Sequence, residues 1–301
     1  MTALSSEPGL PAIRKLREDR KRGRFARPTA NLLLLSVAGI ALTLCVYWVI
    51  SQRELSASKS ALLARHEAVE STLGREWFPL RDRIEQLVVA ASGPWRGDAV
   101  DNAPSALSVD RSKMIYLRMN VSDSVNSASI RSAAQVSLRD GFLSCFVRRP
   151  EKRAADEAWN LRQAYASTRV LQPEWVSEVR EAGDSLRLRV FQQQFDKAVR
   201  DEIPLAVDIV KGAQLFVLVL DEPGSDPSMD EAALQSVAHP SRVFLFDLAA
   251  SGAELMRVRR VGYAALLGGA VASADEATAV AMRRQANNCS LGEQARATLL
   301  K

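Results

Sequence analysis

The hydrophobic pattern begins with a run that has no period: from Asn31 to Ile50 no charged residue interrupts an apolar stretch. At about 1.5 Å per residue, Leu32 to Ile50 spans roughly the 30 Å hydrocarbon core of a bilayer. Tyr47 and Trp48 stand near its end, where amphipathic rings favour the headgroup level. The pattern predicts one membrane-spanning helix over residues 31–50.

Beyond it a helical period sets in. Leu62, His66, Val69, Leu73, Trp77, Leu80, Ile84 and Leu87 follow steps of 4, 3, 4, 4, 3, 4 and 3, a stripe with one stutter near Trp77. Pro79 cannot donate a backbone bond inside a helix, so Trp77-Phe78-Pro79 reads as a break between helices near 52–77 and 79–92. Residues 51–92 are thus expected as a helical stalk, pairing as a coiled coil with a second copy through 52–92 or folding back onto the domain. His66 on this stripe reads as a packed or interfacial residue. Ser92-Gly93-Pro94 opens a polar linker, residues 93–112, and a domain over 113–301 follows.

Within that domain Lys113–Val121 alternates apolar and polar as a half-buried strand does, and Val125–Arg139 is amphipathic at helical spacing. Phe142–Val147 reads as a second strand, making a strand–helix–strand unit whose strands a crossover would set parallel. Pro150 opens a helical stretch carrying Trp159, Arg162 and Tyr165. Pro173–Glu181, Leu186–Asp201 and Pro204–Lys211 read as further helices. Gln214–Leu220 is a buried strand ending at Asp221-Glu222-Pro223-Gly224. Arg242–Leu248 and Glu254–Val261 flank Ala250-Ser251-Gly252 as a hairpin. Ser273–Gln285 closes as a helix with a Ser273-x-x-Glu276 capping box. The fold class expected is α+β, with a mixed or antiparallel sheet of about five strands.

Charge adds orientation. Arg14, Lys15, Arg17, Arg20, Lys21, Arg22, Arg24 and Arg27 precede the apolar run, whereas only Arg53, Lys59 and Arg65 occupy the fifteen residues after it. The positive-inside bias places residues 1–30 in the cytoplasm and 51–301 across the membrane. A cleaved signal peptide is the competing reading, with small residues near Ala57 as its site, but its apolar region would be shorter. Leu42-Thr43-Leu44-Cys45 is a loose lipoprotein-type box in which Cys45 sits inside the apolar run behind a bulky Leu. The basic balance does not indicate nucleic acid. Residues 1–30 hold eight basic and three acidic side chains, a net of +5, and the 32 basic and 32 acidic residues that follow cancel. The cytoplasmic flank can attract anionic lipid at about 1 kcal/mol per basic residue.

Candidate chemistry is sparse. Of three cysteines, Cys145 and Cys289 fall in the exported part, where a disulfide is chemically allowed. No Gly-rich phosphate cradle followed by Lys, no Cys-x-x-Cys and no His-Glu-x-x-His occurs, and Gly268-Gly269 reads as a turn. With only His66 and His239 a His-rich metal site is excluded, and no cofactor is expected. Cys289 with His239 is the one conceivable thiolate pair, but His239 before Pro240 suits a turn better. Asp221-Glu222 reads as a solvated turn and Asp123 as a helix N-cap. Arg148-Arg149, Arg257, Arg259 and Arg260 are expected to pair with the domain's own carboxylates. No residue set is expected to be catalytic.

The expectation is a single-pass protein of a bacterial inner membrane whose exported domain binds other envelope proteins as a scaffold or accessory part. The alternatives are a periplasmic ligand sensor acting through a separate cytoplasmic partner, and an exported carboxylate-based hydrolase. A eukaryotic type II protein would share this topology and offer Asn120-Val-Ser122 and Asn288-Cys-Ser290 as glycosylation sites.

Overall fold

The computed structural model describes residues 30–101, 111–137, 141–147, 159–223, 231–263 and 275–300. The basic cluster from Arg14 to Arg27, Pro104, Arg148-Arg149, Gly268-Gly269 and Ser273 lie outside them. Two compact units divide the chain, Met1–Ser60 and Ala61–Lys301.

In the first unit, helix α1 (Ala30–Val69) contains the apolar run, and every residue from Leu34 to Ile50 is exposed. Hydroxyls along it turn back to the helix itself: Thr43 Oγ1 donates to the Gly39 carbonyl at 2.8 Å and Ser51 Oγ to that of Trp48 at 2.9 Å. Each hydroxyl thereby finds its acceptor within its own helix. Among the described residues this is the one helix long and apolar enough to cross a membrane.

In the second unit the helix does not break at Pro79. A π-helical turn, Glu70–Gly74, follows α1 and leads into α2 (Arg75–Ala91), with Pro79 inside it. The π turn inserts a residue and resets the apolar face, which is the stutter in the stripe. Leu62 and His66 are buried before it, and Trp77, Ile84, Val88 and Ala91 after it, while Leu80 and Leu87 are only half-buried. Trp77 meets Tyr165 edge-on at 6.0 Å, so the stripe expected of a stalk is buried within the domain's own core.

Six strands form one mixed sheet: β1 (Ala99–Val100), β2 (Met114–Asn120), β3 (Trp159–Asn160), β4 (Leu215–Asp221), β5 (Pro240–Asp247) and β6 (Ala253–Val261). Their order is β1-β6-β5-β4-β2-β3. β2 runs parallel to β3 and β4, and the other pairs are antiparallel. The expected count of about five includes Phe142–Val147 and misses two short strands: β1, which the polar linker supplies as an edge, and β3, whose Trp159 is expected in a helix but pairs beside β2 at the opposite edge. Gly252, at φ 84°, closes the β5–β6 turn with Leu87 so close that a Cβ there would lie 2.9 Å from its Cδ2.

Phe142–Val147 is not a strand. It forms helix α4 (Phe142–Phe146), after α3 (Ser127–Val136). Phe142 and Phe146, four apart, lie on one helical face and stack at 5.5 Å, and Phe142 stacks on Tyr116 at 5.7 Å. The parallel partners of β2 are therefore β3 and β4, not the 142–147 segment. The helices α5 (Arg162–Ser167), α6 (Pro173–Glu181), α7 (Ser185–Lys197) and α8 (Ile203–Gly212) come between, with a π turn over Ala198–Glu202 joining the last two. Asn126, not Asp123, caps α3 by accepting from the Ser129 N–H at 3.0 Å. After α9 (Glu231–Ser236), α10 (Glu276–Leu299) runs well past the expected end at Gln285, its cap being Asp275.

Helices α4 and α10 cover one sheet face over Tyr116, Val217, Val219, Val243, Leu245 and Met256. On the opposite face Ile115, Leu117, Phe216, Leu218 and Leu220 are equally buried, with α3 packed on β2. β2 is thus covered on both faces, and its alternating pattern does not mark a wet side.

Candidate functional site

At the carboxyl ends of β2 and β4 the fold buries a connected set of polar side chains. Arg118 on β2 and Asp221 at the end of β4 are both 0% exposed. The in-register parallel pairing sets Asn120 beside Asp221, and the β4–β5 pairing sets Asp221 beside Ser241. Arg118 grips Asp221 through two bonds, Nε to Oδ2 at 2.7 Å and Nη2 to Oδ1 at 3.0 Å. This is the fork-to-fork arrangement that a planar guanidinium offers a carboxylate. Oδ1 of Asp221 also accepts from Ser241 Oγ at 2.7 Å and lies 3.0 Å from His239 Nε2.

The remaining donors and acceptors reach outward to the helices. Arg118 Nη1 donates to Asn288 Oδ1 of α10 at 2.7 Å, and Asn288 Nδ2 donates to Gln235 Oε1 of α9 at 3.3 Å. Ser137 Oγ donates to the Arg118 carbonyl at 2.9 Å. Asn287 Nδ2 donates to the Gln235 carbonyl at 3.1 Å. A buried ion pair survives only if its other lone pairs and protons find partners, and here both charged groups do. Burial pushes the Asp221 carboxyl up, but the Arg118 charge and the bonds from His239 and Arg118 outweigh it and hold the group below its ordinary range.

The arrangement contains Asp, His and Ser yet lacks the geometry of a nucleophilic triad. Ser241 and His239 both turn to the same carboxylate oxygen. His239 Nδ1 lies 3.0 Å from the Val237 carbonyl oxygen, so both ring nitrogens face acceptors and neither faces a hydroxyl that it could deprotonate. What the set does is tie β2, β4, β5, α9 and α10 together at one edge of the sheet.

Next to it Glu222, only 8% exposed, accepts from Arg242 Nε at 2.6 Å and Arg259 Nε at 2.9 Å. Burial raises the Glu222 carboxyl, and the bonds from Arg242 and Arg259 more than offset it, so it too sits below its ordinary value. Asp221-Glu222 is thus a buried pair of anchors, not a solvated turn. Arg242 and Arg257 flank the Trp95 ring at 5.8 and 5.9 Å and donate to the carbonyls of Gly93 and Gly97. These bonds fasten the 92–101 segment to the sheet. Arg257, Arg259 and Arg260 pair with Glu254, Glu222 and Asp98 respectively, all within the domain.

The structure joins Cys145 of α4 to Cys289 of α10 across a Cα separation of 5.1 Å. Cys289 therefore has no thiol to offer His239. Cys45, by contrast, is a free exposed thiol within the apolar helix, and Tyr47 and Trp48 are also exposed there. Asn288 is buried and bonded, which removes it as a glycan acceptor, while Asn120 donates to Asp123 Oδ2 at 3.3 Å. Among the described residues no group of three or more His, Cys, Asp or Glu side chains converges as metal ligands would.

Arg118, the centre of the set, was not among the sequence candidates. Its signal is a basic residue inside the apolar run 114–119, matched by an acidic pair directly after the apolar run 215–220. A second feature, a cleft of about 350 Å³, is lined by Leu80, Arg83, Ile84, Val210, Lys211 and Leu248 among others. No family model, no curated protein and no solved structure matches this chain.

Proposed function

We propose that this chain is a single-pass protein of a bacterial inner membrane, amino terminus in the cytoplasm, whose exported domain binds other proteins as a scaffold or accessory part of a cell-envelope assembly. The observation that carries the reading is the helix from Leu34 to Ile50, uncharged throughout, predominantly apolar and exposed at every residue. Burying such a surface is favourable by about 25 cal/mol per Å², and a bilayer supplies the cover that the protein itself does not. The eight basic residues before it give the orientation. The Cys145–Cys289 bond agrees with an oxidising compartment beyond the membrane.

The scaffold reading draws on how the domain spends its polar groups. Asp221 and Glu222 are both held ionised by arginines and tie elements together, whereas a carboxylate-based hydrolase needs one carboxyl raised to act as an acid. The cleft beside Arg83 favours the sensor as the second reading, since Leu80, Ile84 and Val210 line it together with Arg83 and Lys211, a mixed lining that suits a small amphipathic or anionic ligand.

The test is crosslinking of the full chain in membranes of its native host, followed by mass spectrometry of what is recovered. A stoichiometric set of envelope proteins, lost when residues 61–301 are deleted, is the expected result. Recovery of the chain alone overturns the scaffold reading and directs the search to ligands of the cleft.

A further inference from the structure

A histidine seats residues 61–69 against the helices of their own unit. His66, 6% exposed, stacks on Trp175 of α6 at 5.6 Å with the rings 19° apart, and meets Phe195 of α7 at 6.4 Å. Its Nε2 is buried without a hydrogen-bond partner, and so is Nε1 of Trp175. Protonation would add a charge and a second buried N–H with no acceptor beside it, a cost that the cation–π attraction of Trp175 offsets only in part. Shortly after it comes the π turn Glu70–Gly74, an interruption of the α-helical ladder of a kind found frequently at functional sites.

We propose that residues 61–74 are an acid-released clasp: uptake of a proton by His66 frees this stretch of helix from Trp175 and Phe195, with the π turn as the point that gives. The inference goes beyond the scaffold reading and does not depend on it.

The charges around His66 set the direction. Burial is the main influence and holds the ring's pKa below its ordinary 6.5, while Glu70, the Val170 backbone and Glu67 act the other way. Glu70 Oε2 lies 3.9 Å from Nδ1, but Glu70 is half-exposed and on the same helix, so it favours the charged ring whether the helix is docked or released. The burial acts only in the docked form. On the elements packed against it, Asp196 of α7 is tied to Arg65, and Glu178 of α6 to Arg169. Among the described residues no carboxylate from across the contact faces the ring, and the Val170 backbone is the one docked-state influence that favours its charge.

A group whose docked pKa is lowered binds its proton more readily when released. The docked form is therefore favoured in full above about pH 6.5 and loses ground as pH falls below it. The release equilibrium rises by up to about tenfold per pH unit through that window.

The experiment is hydrogen exchange of the full chain in lipid nanodiscs at about pH 7.5 and about pH 5, corrected for intrinsic exchange, for the wild type and His66→Phe. The phenylalanine keeps a ring against Trp175 and cannot titrate. The expected result is a loss of protection over 61–74 in the wild type at the lower pH, at most about thirtyfold for a released pKa of 6.5, with little change in β2 and β4 and none over 61–74 in H66F. Unchanged protection in the wild type overturns the proposal. So does an equal loss in H66F, which assigns the effect to carboxylates, and so does a loss that spreads to β2 and β4, which makes it general acid unfolding. If H66F does not fold, unchanged protection in the wild type still overturns the proposal.

Discussion

Replacing Asp221 by Asn tests whether the buried set at the sheet edge behaves as a closed network. The substitution keeps size and shape but removes the charge, and it presents an amide N–H where an oxygen had accepted. Asp221 receives two bonds from Arg118, one from Ser241 and a contact from His239, all within 3.0 Å. With the carboxylate gone, Arg118 is left 0% exposed and without its counter-ion. Breaking a buried pair in this way costs about 3–5 kcal/mol, a large part of the roughly 5–15 kcal/mol that holds a domain folded. The assay is equilibrium urea unfolding of the full chain in detergent micelles, followed by fluorescence of the buried Trp77 and Trp175. The double variant Arg118→Met with Asp221→Asn is expected to cost less than the sum of its singles by about 0.5–3 kcal/mol, because each single strands the other partner. Acid provides a second check. A carboxylate held below its ordinary 3.8 contributes stability that is complete above that pH and is lost as pH falls below it. The gap between wild type and D221N is thus expected to narrow below pH 3.8. A cost under about 1 kcal/mol, or additive singles, would refute the reasoning and mean that water reaches the pair.

Two further substitutions probe the α4–α10 contact beside this network. Cys145→Ser with Cys289→Ser opens a loop of 144 residues and is expected to cost up to about 5 kcal/mol in the chain-entropy model, read as a lower urea midpoint. Gly292→Ala places a Cβ 2.5 Å from the Phe142 carbonyl oxygen and 3.0 Å from the Phe146 nitrogen. Backbone cannot yield as a side-chain tip can, so a loss of about 1–3 kcal/mol is expected in the same assay.

Elements fixed by local chemistry were legible in the sequence. The apolar helix follows from its uninterrupted run, α6 from Pro173 at its start, and the β5–β6 hairpin from Ser251-Gly252. Elements whose identity depends on distant partners were not. Phe-Leu-Ser-Cys-Phe suits either a strand or a short helix, and only the stacking of Phe142 on Tyr116 and the close approach at Gly292 settle it as α4. Ala99–Val100 carries no strand signal and pairs only because the Trp95 segment is fastened to the sheet by arginines. The buried network was the least legible part. Its central bonds join Arg118 to residues 103 and 170 positions away. Asp221-Glu222 before Pro223-Gly224 has the local chemistry of a turn, and nothing nearby in sequence shows that an arginine 103 residues upstream will neutralise it.

The boundary of the folded domain is where local reading and three-dimensional packing part most sharply, and it can be decided by truncation. A linker at 93–112 makes a fragment beginning at Gly93 look complete. The packing requires the fragment to begin near Ala61, because Leu62, Trp77, Ile84 and Val88 are each at most 1% exposed and fill the core of the same unit. Burying four such side chains contributes roughly 6–12 kcal/mol, an upper estimate against an extended chain but comparable to the whole stability of a domain. Polar ties are lost as well. Arg131 would lose its two bonds to Glu85, and the Leu248 carbonyl its bond from Arg83. The fragment 61–301 is therefore expected to show near-ultraviolet dichroism and one cooperative urea transition, and 93–301 to show neither. If 93–301 unfolds cooperatively with an undiminished midpoint, helix α2 is an appendage after all, and its stripe would be available to a second copy of the chain.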